Sequence, residues 1–199
     1  MAEGPPSDKN FEQWREHFAA HGPGVGDAMV DAELTDPRGT THRLAESWAD
    51  SPALFLSASL TCPIARTRIP ELQTQLGDDA SRIQQVVLYT REAHPRVDPA
   101  PHSIGGREWL TQANIDEGIL VRQPYDVQSR RDLARRFQDG WATELSVLAD
   151  SMDDALYHRF GTAPCMAVLV GRDGRVVAKQ GWLEPAAMAA EVRKLLGAT

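Results

Sequence analysis

Apolar and polar positions alternate along this chain with two different periods, and the switches between them outline the elements. "ALFLSASL" (53–60) is almost continuously apolar, which predicts a short central strand buried on both faces. "RIQQVVLYT" (82–90) and "LSVLAD" (145–150) predict two further strands. "PCMAVLV" and "RVVAKQG" flank "GRDG", and "MVDAELTDPRGTTHRL" (29–44) alternates around "DPRG"; both read as antiparallel hairpins. Helical spacing is seen in "FEQWREHFAAHG" (11–22), where Phe11, Trp14 and Phe18 share a face before Gly22. It recurs from Pro63 to about Gly77, over 129–144, over 152–161 and in "PAAMAAEVRKLLG" (185–197). The proline- and glycine-containing stretch of about 96–122 predicts an irregular insertion with one short helix. The order β-α-β-α-β-α-β-β-α, with helices between the early strands, describes an α/β fold with a central mixed β-sheet flanked by helices. The N-terminal helix and hairpin extend it.

Composition narrows the picture in a few respects. The chain has 199 residues, enough for one domain with a substantial core: residues 1–10, rich in Gly and Pro, are expected to be disordered, and 11–199 to form a single domain. A net charge of −7 argues against nucleic acid or an anionic membrane as the main partner. No apolar run is long enough to span a bilayer, and "MAEGPPSDKN" lacks the features of a signal peptide, so a cytoplasmic protein is expected. Two cysteines make neither a disulfide framework nor a structural zinc site, and no cofactor or metal is expected.

The chemistry centres on "SASLTCPIARTRIP" (57–70), in which Cys62 sits between a strand and a helix. In open α/β sheets the carboxyl ends of the strands carry the sites. A helix N-terminus offers free N–H groups and a positive dipole end, which favour thiolate over thiol and predict a lowered Cys62 pKa. Pro63 suits the first helical position, and the hydroxyls of Ser59 and Thr61 are placed to donate to the sulfur. The alternative is that Cys62 is a small buried hydrophobe.

This pattern resembles the thioredoxin superfamily, where the attacking cysteine opens a helix after a central strand and a proline, here Pro70, follows two turns later. The resemblance implies a thioredoxin fold. It puts Ala65 where a resolving cysteine would stand, and makes Pro164 in "FGTAPCMAVLVGRDGRVV" a cis-proline facing Cys62 and offering backbone groups to substrate. Within the superfamily, "SLTCP" is similar to the Ser-x-Thr-Sec-Pro signature of the iodothyronine deiodinases, with cysteine for selenocysteine. "VVLYTREAHP" (86–95) resembles the deiodinase segment carrying Glu-Ala-His, here Glu92, Ala93 and His94. "SRRDLARRF" and "LADSMDDALYHRFGTAP" resemble bacterial deiodinase-like sequences, and the likeness covers about residues 50–185. The Asp-Gly-Trp expected after the histidine is replaced by "RVDPAPHS", and the membrane anchor typical of animal deiodinases is not expected here, since no apolar run of these residues is long enough for it.

The resemblance implies a thiol-dependent oxidoreductase of bacterial type. Cys62 attacks an electrophilic halogen or a peroxide oxygen of a small molecule, His94 oriented by Glu92 donates the proton, and Cys165 or an external thiol reductant regenerates the sulfur. Cys165 is equally readable as a packed strand residue. His102 reads as a solvated loop residue rather than a second functional histidine, and Asp150 and Asp153 as helix caps. Two alternatives stay open: a peroxiredoxin-like peroxidase, against which Ser59 stands where that family has threonine, and a non-catalytic thioredoxin-like accessory protein of a biosynthetic pathway. A homodimer is also open.

Overall fold

The computed structural model describes residues 16–103 and 106–197. Seven strands, β1 (Glu33–Thr35), β2 (Thr41–Arg43), β3 (Ala53–Ala58), β4 (Gln84–Tyr89), β5 (Ser146–Ala149), β6 (Ala167–Val170) and β7 (Val176–Gln180), form one sheet in the order β2-β1-β5-β4-β3-β6-β7. β3, β4 and β5 run parallel, while β6 lies antiparallel to β3 and β7 to β6. Among the described residues, α1 (Pro63–Leu76), α2 (Gln112–Asp116), α3 (Val127–Trp141), α4 (Ala155–Phe160) and α5 (Pro185–Gly197) are the α-helices that follow the first strand.

Every residue of β3 is buried, as its apolar run predicts. The period-2 pleat deals its side chains to two cores. Leu54, Leu56 and Ala58 join Val87 and Tyr89 of β4 and Ala167 and Leu169 of β6 on the face covered by α1, α3 and α5. Phe55 joins Val86, Leu88, Val168 and Val170 on the other, with Leu156 and Phe160 of α4 and Phe18 from the N-terminal segment. The result is helix, sheet, helix in three layers. The register Ala58↔Tyr89 levels the ends of β3 and β4, so the loops carrying Cys62 and Glu92 leave the sheet side by side.

Local chemistry sets the ends of these elements. Cys62 is the N-cap of α1, with Pro63 at the first helical position and Gly77 closing the helix in a positive-φ conformation. Asp126 and Ser129 form a capping box that starts α3 two residues earlier than the apolar spacing suggested. Residues 16–20 are helical and Phe18 is buried; Phe11, Trp14 and residues 1–10 lie outside the described residues. The insertion is irregular apart from α2, in keeping with its composition. No described helix is long and apolar enough to cross a membrane.

Candidate active site

Cys62 is 1% exposed, and its Sγ accepts a hydrogen bond from the Ala65 amide at 3.4 Å. Its own amide donates to Ser59 O at 3.1 Å. Burial pushes the Cys62 thiol up to about 11; the amides of Ala65 and Ile64 and the Arg66 charge pull the other way without overcoming it. The lowered pKa expected from the helix N-terminus is thus reversed. The helix end aids the thiolate, but removal from water costs it more.

The serine and threonine hydroxyls do not reach the sulfur either. Ser59 Oγ accepts the Ala93 amide at 3.1 Å. Thr61 Oγ1 donates to Glu92 Oε2 at 2.7 Å and accepts the His94 amide at 3.0 Å. Both instead sew the Cys62 turn to the Glu-Ala-His segment, which the structure does bring beside it.

Glu92 is fully buried. Its carboxylate accepts the Thr61 amide at 2.8 Å, the Thr61 hydroxyl and the Tyr89 phenol, and Tyr89 Oη in turn accepts the Leu60 amide at 3.0 Å. Burial pushes the Glu92 carboxyl up. Its hydrogen bonds therefore go to the turn before Cys62, and Glu92 does not orient His94. His94 Nδ1 lies 3.2 Å from Trp109 O, and the Trp109 ring packs edge-on against the imidazole at 4.6 Å. A carbonyl only accepts, so Nδ1 carries the hydrogen and Nε2 keeps a lone pair. Burial pushes His94 down to about 4, so the ring is neutral at neutral pH. The insertion supplies the histidine's partner, and no spacing signal in the sequence pointed to it.

Cys165 is also 1% exposed and belongs to the same apolar cluster as Cys62; both thiols are free. Its pKa is pushed well up by burial and next by the nearby Cys62. The preceding loop is held by Ser57 Oγ, which donates to Ala163 O at 2.7 Å and accepts the Met166 amide at 2.7 Å. No described peptide bond is cis, so Pro164 is trans. This corrects the cis-proline expected from the family likeness. Trans is the lower-energy isomer even before proline, and the Ser57 bonds hold the loop in that form.

His102 is not a solvated loop residue. Its Nε2 lies 2.8 Å from Thr162 O and 3.3 Å from Tyr157 Oη, and its ring packs against Phe18. Asp150 does cap, accepting the amides of Leu156 at 3.0 Å and Tyr157 at 2.8 Å, whereas Asp153 takes the Ser151 hydroxyl. Among the described residues no cluster of ligating side chains fits a metal. A cleft of about 480 Å³ opens at the opposite end of the sheet, beside Asp36, His42, Gln84 and Ser146, away from Cys62.

No protein-family model matches this chain, and no curated protein matches it. Solved structures do. A peroxiredoxin-like protein from Aquifex aeolicus superposes with a TM-score of 0.57 at 11% identity, covering 89% of this chain and 90% of that one. A secreted Mycobacterium tuberculosis disulfide oxidoreductase homologous to Escherichia coli DsbE gives 0.54 at 14%, covering 82% and 96%. A Bacteroides thetaiotaomicron protein assigned provisionally to the protein disulfide isomerases gives 0.58 at 12%, covering 88% and 91%. The chain has the thioredoxin fold.

Proposed function

We propose that this protein is a thiol-dependent oxidoreductase in which Cys62 is the attacking sulfur. The observation that carries the reading is the seat of that sulfur: the N-cap of α1, at the carboxyl end of a central strand, with the Ala65 amide on Sγ. The disulfide oxidoreductase and peroxiredoxin-like neighbours share the fold and support thiol chemistry, and the "SLTCP" and Glu-Ala-His likeness to deiodinases supports a halogenated aromatic as substrate.

In this reading His94 Nε2 takes the Cys62 proton as the sulfur attacks, which a neutral ring is able to do. With a halophenol, a sulfur–halogen bond forms and the carbon–halogen bond breaks. The carbon keeps the electron pair and receives the proton from His94. With peroxide, a sulfur–oxygen bond forms, the oxygen–oxygen bond breaks, and the departing hydroxide takes that proton as water. Either way the sulfur is oxidised by two electrons. The Cys165 thiol then displaces halide or water to give a Cys62–Cys165 disulfide, and two equivalents of an external thiol reduce it. In this reading Glu92 acts on the Thr61 turn, and substrate binding falls to Ser59, Thr61, Pro63 and Pro164.

The test is to incubate the protein with dithiothreitol and either a halophenol or hydrogen peroxide, following halide release and peroxide loss. Halide release expected for the deiodinase-like reading would fix the substrate class; peroxide loss alone would favour the peroxidase. A second reading, a non-catalytic accessory protein, is favoured by the near-complete burial of Cys62 and its raised pKa. Turnover of neither substrate would select it.

A further inference from the structure

Arg66 lies one turn into α1 and is only 4% exposed, an unusual place for a cation. Its Nη1 donates to Leu60 O at 2.6 Å and its Nη2 to Asn114 Oδ1 at 2.8 Å. Asn114, on α2 of the insertion and fully buried, donates through Nδ2 to Thr61 O at 2.9 Å. The guanidinium sits 5.5 Å from the centre of the Trp141 ring on α3, and its Nε lies 3.3 Å from Glu117 Oε2 just beyond α2. Arg66 and Asn114 thus hold both carbonyls of the two residues before Cys62. Tyr89 and Glu92 hold the two amides of the same residues, at 3.0 and 2.8 Å. All four main-chain polar groups of Leu60 and Thr61 are bonded to side chains. Loops seldom receive that much side-chain bonding.

We propose that Arg66, fastened through Asn114 to the insertion, is the positioning residue of the Cys62 turn and supplies the positive charge against which its sulfur ionises. The inference rests on Cys62 being the reactive sulfur. The charged groups acting on that sulfur are Arg66 on its own helix, which favours the thiolate, and Glu92 beyond β4, which opposes it; Cys165 before β6 shares its apolar cluster. Glu117, exposed at the outer end of the guanidinium, offsets part of that charge, and Trp141 confines it. α2 becomes part of the site by this route although it carries none of the reacting atoms.

Two readouts separate positioning from mere support: hydrogen exchange of the Leu60, Thr61 and Cys62 amides, and the rate of iodoacetamide alkylation of Cys62 at pH 9, read on its own peptide. Arg66→Met should speed exchange by loosening the turn yet slow alkylation about tenfold, the factor for one unit of thiol ionisation. Arg66→Lys keeps the charge but loses the fork, so exchange rises while alkylation stays within about threefold of wild type. A purely structural arginine would move both readouts together, since a looser turn exposes the sulfur. Unchanged or faster alkylation in Arg66→Met overturns the proposal. Should that variant fail to fold, Asn114→Ala decides. Faster turn exchange without slower alkylation is expected, and unchanged exchange overturns the clamp. Neither readout requires turnover, so an inactive protein that behaves this way loses the proposed function and keeps the inference.

Discussion

Cys62 and Cys165 are buried to the same degree in the same apolar cluster, yet they occupy different seats in the fold. Cys62 caps a 14-residue helix and receives an amide on its sulfur, with a cation one turn away. Cys165 sits in the loop before β6; burial and next the nearby Cys62 push its pKa well up, against the pull of the Arg68 charge and the Leu183 amide. Burial by itself makes both thiols inert. The difference lies in the helix N-cap seat that only Cys62 of the two occupies, and on that seat rests the proposal that Cys62 attacks and Cys165 resolves.

The largest effect should come from exchanging the two sulfurs for oxygen in turn. Cys62→Ser should abolish turnover, down to the rate without protein. Cys165→Ser should preserve the first oxidation and then accumulate sulfenic or over-oxidised Cys62, read by mass spectrometry after mild peroxide. Equal loss in both variants, with no oxidised Cys62 trapped, would erase the division of labour.

Next comes the scaffold on each side. Glu92→Ala leaves the Thr61 amide, the Thr61 hydroxyl and the Tyr89 phenol without their acceptor. At about 1–3 kcal/mol for each unsatisfied buried group, it should destabilise by about 3 kcal/mol or more in urea unfolding, and Glu92→Gln by less. Ser57→Ala on the Cys165 side removes one hydroxyl bridging two main-chain groups and should cost about 1–3 kcal/mol. A larger loss for Ser57→Ala would show that the Cys165 side is the more tightly built.

The smallest effect is in pH dependence. Folded His94 is held neutral down to about 4, whereas the unfolded ring takes a proton near the ordinary 6.5. The unfolded state therefore binds more protons across that window, and the stability His94 contributes is lost as pH falls from 6.5 towards 4. Glu92 runs the other way. Its raised pKa means that stability present below its unfolded pKa is lost as pH rises through the folded value. Urea midpoints at pH 7 and pH 5 should show His94→Asn losing about 1–2 kcal/mol less than wild type over that interval. Identical slopes would mean the imidazole is solvated, and the base role would go with it.

The sequence carried the elements well because their signals are periodic or stereochemical. β3 is a nearly continuous apolar run, "DPRG" and "GRDG" are turns, and Pro63 and Gly77 punctuate α1. Proximity within the site was legible too, since the ends of neighbouring parallel strands must lie together. Partner choice was not. Glu92 and His94 are two residues apart, but nothing in that spacing says that the carboxylate turns to Thr61 while the imidazole turns to Trp109. Arg66 did leave a trace: it falls on the same helical stripe as Ala65, Ile69 and Leu72, where a charge needs a buried partner. Asn114, 48 residues away, left none.

The place of β3 between β4 and β6 has a consequence for how the chain assembles. Its β4 partner arrives after one helix, but β6 lies more than a hundred residues further on. During synthesis this fully buried strand therefore keeps one edge unpaired until β6 has emerged. Closing a loop of that length is slow compared with pairing β3 to β4. Cys165 joins the apolar cluster of Cys62 only at that last closure, so the architecture that leaves the central strand protected late also keeps the thiols apart until the fold around them is complete.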